Sequence, residues 1–296
     1  MSSLLQVLLS GAATGCVYGL VALSFVLIFK ATSVLSFMQG ELLMAGAFAA
    51  LAAHQGLGLP LLPAVLLAVL AMAGFAMLGE RLFLRRLVAQ PALLAVLLTF
   101  GLGMMLRGLV ASWPGAAQQV YRLPFGGEQL RIGEVLLPTA QLWVIAAALL
   151  LALLLAAFFR YTRLGLALRA CAENPELATL MGVRVSTMQA LAWGLGGGLA
   201  ALAGVLLAPL SFVHLNMGDI AFKAFPAAVL GGMSSLGGAL LGGLALGLIE
   251  ALAGLWLPEG FKDALPYLLL LFALLLFPQG LGQWRLAGAG PSRGGQ

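Results

Sequence analysis

The chain has 296 residues, of which 62% are hydrophobic and 8% charged, and its formal net charge is +5. A water-soluble domain of this size carries about a quarter charged residues to keep its surface wetted, so the composition excludes a soluble fold and makes lipid the solvent. The apolar runs are continuous and rich in Leu, Ala and Gly rather than alternating, which excludes barrel strands and leaves helices.

A span needs about twenty apolar residues. Such runs fall at roughly 4–29, 36–53, 61–79, 92–110, 138–159, 189–208, 236–257 and 264–278, with a shorter piece at 221–232. Nothing basic precedes Lys30, so the first run reads as a retained span rather than a cleaved signal.

The second run opens with Ser36-Phe37-Met38-Gln39-Gly40-Glu41. A carboxylate there needs a partner or a wet cavity, and Gly40 beside it permits a broken helix whose backbone lines a pathway. Ser36, Gln39, Gly40 and Glu41 are therefore substrate-pathway candidates. The alternative is that Glu41 caps a helix entering the membrane, where an acid suits the N-terminal dipole.

Arg81, Arg85 and Arg86 follow the third run, and the long connection 113–137 carries the turn signals Trp113-Pro114-Gly115, Pro124 and Gly126-Gly127. Next comes a stretch at about 160–188 that is not a floppy loop. Asn174 suits an N-cap, Pro175 the first helical position, Glu176 the dipole and Gly182 the terminator. The expectation is a helix of about two turns lying at the membrane surface, either as a simple anchor or as a grip for a partner.

Gly194, Gly196, Gly197, Gly198 and Gly204 stud one later span, and Gly238-x-x-x-Gly242 and Gly243-x-x-x-Gly247 another. Small faces of this kind let helices approach closely in lipid. Glu250, in the same span, needs a partner or water and is a second pathway candidate.

Twelve Arg and three Lys set direction. Placing Lys30, the Arg81, Arg85 and Arg86 cluster, Arg160, Arg163, Arg169, Arg184, Arg285 and Arg293 inside keeps Arg122, Arg131 and Lys262 outside. The N-terminus is then outside and the C-terminus, with its tail 279–296, inside. Keeping Arg285 and Arg293 inside requires 221–232 to cross as a tilted or broken helix. The expected fold is an all-α polytopic transmembrane bundle of about eight or nine membrane segments, one domain over 1–296.

The positive charge is thus assigned to topology, and no nucleic acid partner is expected. Cys16 and Cys171 are too far apart in sequence to read as a disulfide or metal motif. No phosphate-binding Gly-x-x-x-x-Gly-Lys motif occurs, and His54 and His214 are isolated. No enzyme, metal or cofactor is expected. A self-contained secondary transporter would show intramembrane acids on an ion pathway and inverted repeats, of which only Glu41 and Glu250 are found.

Three segments carry a family resemblance: Gly11 to Gly46 with Tyr18-Gly-Leu-Val-Ala-Leu and Ser36–Glu41, Arg169-Ala-Cys-Ala-Glu-Asn-Pro-Glu-Leu-Ala-Thr-Leu-Met-Gly182, and Lys223-Ala-Phe-Pro-Ala-Ala-Val-Leu-Gly-Gly-Met-Ser-Ser-Leu-Gly-Gly238. In this order they resemble the branched-chain amino-acid ABC transporter permeases over nearly the whole chain. The resemblance implies an inner-membrane subunit of a bacterial importer working by alternating access. It implies cytoplasmic ATP-binding subunits, a second permease (identical or sister chain) and a periplasmic solute-binding protein. It also implies an ATPase-coupling role for Glu173, Asn174, Pro175, Glu176 and Gly182. The family usually reads Asn-Phe-Ala-His-Gly-Glu where this chain has Ser36-Phe37-Met38-Gln39-Gly40-Glu41, so the cargo need not be a branched-chain amino acid. Amides, urea and sugars are the alternatives.

Overall fold

The computed structural model describes residues 2–87, 90–113, 129–132, 135–233 and 235–276. Arg122, Arg285, Arg293, the tail 279–296 and most of the connection 113–137 lie outside the described residues.

Eleven helices account for nearly all of the described chain: α1 Ser2–Thr32, α2 Gln39–Leu51, α3 Leu61–Leu82, α4 Ala92–Ala111, α5 Thr139–Tyr161, α6 Arg163–Glu173, α7 Pro175–Leu180, α8 Val185–Leu207, α9 Ile220–Leu230, α10 Leu236–Ala253 and α11 Glu259–Leu276. Six are long and apolar enough to cross a membrane: α1, α3, α4, α5, α8 and α10. Strands β1 Gln129–Ile132 and β2 Val135–Pro138 pair antiparallel, Gln129 opposite Pro138 and Ile132 opposite Val135, within the connection that its turn signals mark as a loop.

Three helices form the centre. α1, α2 and α8 are largely enclosed, whereas α3, α4, α5 and α10 turn most of their side chains outward. The outward faces carry Leu62, Leu66, Leu93, Leu97, Leu150 and Leu153, all exposed. Such an apolar belt is stable only against lipid or another apolar surface.

Glycine determines who neighbours whom. On α1, Gly11 abuts Ala251, Gly15 abuts Leu244 and Gly19 abuts Leu240 of α10. Numbers rise along one helix as they fall along the other, so the two run antiparallel with backbones in contact. The predicted small faces of α10 divide between two partners. Gly243 and Gly247 lie on Gly19 and Gly15, while Gly238 and Gly242 lie on Gly231 and Ala227 at the end of α9. α8 likewise serves three neighbours: Gly194, Gly197 and Gly198 face α3, Gly196 faces Ile28, and Gly204 faces Leu43 of α2.

The expected second span is broken. Residues 34–36 are not helical, Ser33 has φ +55° and α2 begins only at Gln39. α2 then continues into a π-helical turn at Ala52–Gly56. The short piece at 221–232 is α9, preceded by a 3-10 turn at Leu215–Asp219 and followed by Gly232 at φ +83°. At 11 residues it rises about 16 Å, half of the ~30 Å hydrocarbon thickness. Leu236, at the start of α10, packs on the cluster of Phe159, Leu168, Cys171 and Met188 that holds α5, α6 and the start of α8 together. The chain between α8 and α10 therefore returns to the end of the bundle where α8 began.

Candidate functional site

α2 and α9 are half-length helices that begin at the same place. Gly40 and Gly218 are in backbone contact, and a methyl group on either would collide with the other's main chain. From that point the helices diverge. α9 descends towards the α6 end, with Phe225 edge-on to Phe25 at 5.8 Å between ring centroids. α2 runs the opposite way to Gly56, beside Trp113 beyond the end of α4. The start of α2 and the 3-10 turn that leads into α9 thus meet inside the bundle.

Beside the junction is a cavity of about 110 Å³, lined by residues that include Ser36, Gly40, Glu41, Phe100, Phe222 and Phe225. Ser36, Gln39 and Glu41 are buried. Gly103 on α4 allows the approach of Glu41, and Thr99 on the same helix accepts the Phe37 N–H at 3.2 Å. Arg107, one turn further along α4, donates to Glu41 Oε1 at 3.4 Å and to Asn216 Oδ1 at 2.6 Å. Glu41 is therefore both an acid in the first turn of a helix and one half of an ion pair. Its second oxygen, the Ser36 hydroxyl and both polar atoms of the Gln39 amide have no hydrogen-bond partner in the protein.

Glu250 sits elsewhere and does not line this cavity. Tyr18 donates to its Oε2 at 2.7 Å and Lys223 to its Oε1 at 3.4 Å, and Lys223 also reaches Asp263 at 2.5 Å. This network ties α1, α9, α10 and α11 together. A third buried acid, Glu80, was not anticipated. It takes a two-pronged contact from Arg85, which also donates to the Ser186 carbonyl at 2.8 Å, so the pair joins the end of α3 to the start of α8.

The expected surface helix lies at the α6 end, well away from the cavity. Thr162 caps α6 by accepting from Gly165 N at 3.0 Å, and Asn174 caps α7 by accepting from Leu177 N at 3.0 Å. Pro175 opens α7 with Glu176 in its first turn, and Gly182 leaves it at φ +82°. The sequence reading contained α7 but not α6, whose capped, amphipathic eleven residues form a rigid elbow with it. Leu177, Leu180 and Met181 project outward, 59%, 83% and 84% exposed.

The sequence reading missed Arg107, Asn216, Tyr18, Lys223 and Asp263. Arg107 and Lys223 carried a signal of their own, a basic residue inside an expected membrane segment. The others are recognisable only as partners of Glu41 and Glu250 once the chain is folded.

Comparison with known proteins decides the family. The family described as branched-chain amino acid transport system / permease component matches residues 7–274. The chain belongs to that family. The permease is 31% identical over 294 residues, 94% of each chain, to the high-affinity branched-chain amino acid transport system permease protein LivH of Salmonella typhimurium and of Escherichia coli K12. It is 30% identical to the BraD permease protein of Pseudomonas aeruginosa, covering 94% of this chain and 95% of the relative. A partial match, 36% over 194 residues, links it to the autoinducer 2 import system permease LsrC of Salmonella paratyphi B, covering 62% of this chain and 54% of that one. No solved structure gives a significant match.

Proposed function

We propose that this permease is the substrate-conducting subunit of an ATP-driven importer for branched-chain or related amino acids in a bacterial inner membrane. A second permease, two cytoplasmic ATP-binding subunits and a periplasmic solute-binding protein would complete the complex. The observation that carries the reading is the α6–α7 elbow. Leu177, Leu180 and Met181 present apolar surface on a short helix stiffened by Asn174, Pro175 and Gly182. A capped helix transmits displacement where a loose loop would absorb it, and its uncovered apolar side chains suit burial in an ATPase groove.

In this reading Glu173, Asn174, Pro175, Glu176 and Gly182 couple nucleotide-driven closure to the bundle. Displacement passes through α6 to the cluster of Phe159, Cys171 and Met188, and from there to α10 and α9. α9, which meets α2 at Gly40–Gly218, α10 at Ala227 and Gly231 and α1 at Phe25, is the element whose tilt would open the pathway lined by Ser36, Gln39, Gly40 and Glu41 alternately to the two sides. Glu250 acts by holding Lys223.

A second reading, a permease for an amide, urea or sugar, is favoured by one observation. Met38 and Gln39 stand where the family usually has Ala and His, and the buried Gln39 amide has no hydrogen-bond partner in the protein. A secondary transporter is the rival of another class. The test is ATP hydrolysis by the assembled complex stimulated by its loaded binding protein. Leu180→Asp with Met181→Asp, or Glu176→Lys, should abolish stimulation while leaving membrane insertion intact. Undiminished stimulation in these variants would remove α7 from the coupling role. Solute accumulation by this chain alone under an ion gradient would defeat the importer reading altogether.

A further inference from the structure

We infer that the outward-facing furrow formed by α4, α9 and α11 is the face on which a second permease subunit of this same fold seats, supplying the wall that the junction cavity lacks. The inference rests on the permease reading above, which calls for a second permease and leaves open the side of the bundle that receives it.

The cavity is open on one side. Its inner lining of Ser36, Gly40 and Ala221 is buried, but Phe100 and Met104 of α4, Phe222 of α9 and Tyr267 of α11 are between 41% and 46% exposed. Three helices thus contribute a rim that lies on the lateral surface. Phe100 stands ~12 Å from one end of α4 and ~16 Å from the other, so the opening is at mid-span, where a lone chain meets hydrocarbon. Lipid tails offer no hydrogen bonds, and a polar solute passing Ser36 and Gly40 would face them directly. α9 cannot close the gap by itself, because its 11 residues reach only about half of the hydrocarbon thickness.

The same sector carries polarity that other sides lack. Asn216, Asp219 and Asp263 are exposed, and Arg107 and Lys223 are partly exposed. Asp219, at the N-cap of α9, makes no capping hydrogen bond. By contrast, residues 61–79 of α3 and 139–159 of α5 include no charged residue, and these helices turn Leu62, Leu66, Leu150 and Leu153 outward. A charge turned towards lipid is costly and a leucine is not. α3 and α5 therefore suit lipid, whereas the α4–α9–α11 face suits protein.

Charge complementarity identifies the occupant. The face carries two cations, Arg107 and Lys223, and two acids, Asp219 and Asp263. A surface of both signs is self-complementary when turned through a two-fold axis, the commonest arrangement of paired subunits, because an acid on each side can approach a cation on the other. The rims of two furrows would then meet over α9 and enclose one passage. A soluble binding protein cannot cover an opening at mid-span, and the ATP-binding subunits are placed at the distant α6–α7 elbow.

The test is photo-crosslinking of the assembled importer in its native membrane. A benzophenone amino acid replaces Met104, Phe222 or Tyr267 in the furrow, or Leu66 or Leu150 as lipid-facing controls, one position at a time. Furrow positions should yield an adduct with the mass of two permeases, its partner identified by peptide mass spectrometry as this chain or a sister permease. The controls should yield at least tenfold less of it. Permease adducts as abundant from Leu66 or Leu150, or furrow adducts only with lipid or with the binding protein, would overturn the assignment. If the probe at Phe222 prevents accumulation in the membrane, Met104 and Tyr267 on the outer rim decide. Permease adducts from α3 or α5 alone, in a complex that still performs ATP-driven uptake, would discard this face and leave the importer reading standing. No permease adduct from any position, in a chain that transports solute as a single copy, would end both.

Discussion

The packing of α2 on α8 gives a sharp numerical expectation. A methyl group at Gly46 would stand 2.5 Å from both Cα and Cβ of Ala201, and ordinary carbon contact begins near 3.5 Å. Both obstructing atoms are fixed to the backbone of a helix enclosed on all sides, so no rotamer change relieves the clash. Gly46→Ala must move α2 about 1 Å from α8, a gap that forfeits a quarter to a half of each dispersion contact along the seam. Overpacking of this kind costs about 1–3 kcal/mol. Taking ~2 kcal/mol, and about 2–4 °C per kcal/mol for a chain of this size, the purified protein should melt about 4–8 °C lower than wild type. The matched control is Gly101→Ala, where nothing lies within 4 Å of the added carbon and the helix gains up to about 1 kcal/mol in propensity. Both would be followed by intrinsic fluorescence or light scattering on heating in one detergent. A Gly46→Ala protein melting with the wild type, or above Gly101→Ala, would refute the close α2–α8 approach.

Glu250→Gln should destabilise the protein by about 2 kcal/mol, less than the 3–5 typical of a broken buried pair because Lys223 retains Asp263; a thermal melt unchanged within 1 °C would contradict the network. Adding Lys223→Met to that variant should cost less than the sum of the two single changes, and strict additivity would show that the residues do not interact. Burial pushes the Cys171 thiol above its usual range, which lowers the thiolate fraction at any given pH. Maleimide labelling of Cys171 in the folded protein at pH 8 should therefore lag far behind labelling after denaturation, and equal rates would show that α6 does not shelter it.

What the sequence made legible was whatever depends on near neighbours. Asn174, Pro175 and Gly182 specify the start and end of α7 within nine residues, and the structure forms the helix where they dictate. Long apolar runs announced α1, α3, α4, α5, α8 and α10 in the same way. A buried acid announces only that it has a need. Glu41 finds Arg107 66 positions away and Glu250 finds Tyr18 232 positions away, and no local pattern encodes those separations. The glycine faces of α10 were visible as faces, but their division between α1 and α9 is set by three-dimensional order. α6 escaped notice because Leu164, Leu166 and Leu168, flanked by Arg163 and Arg169, resemble a basic loop until Thr162 caps them.

Helix α1 precedes the partner that encloses it by most of the chain. α1 carries no charge before Lys30 and can enter the bilayer alone, yet Gly11, Gly15 and Gly19 are shaped for α10, which the ribosome delivers more than two hundred residues later. Until then that seam faces lipid or a temporary companion. Assembly of the permease is consequently a late event in its own translation, and a nascent chain cut short before Gly243 leaves its central helix without the neighbour that closes it, exposed to quality-control proteases.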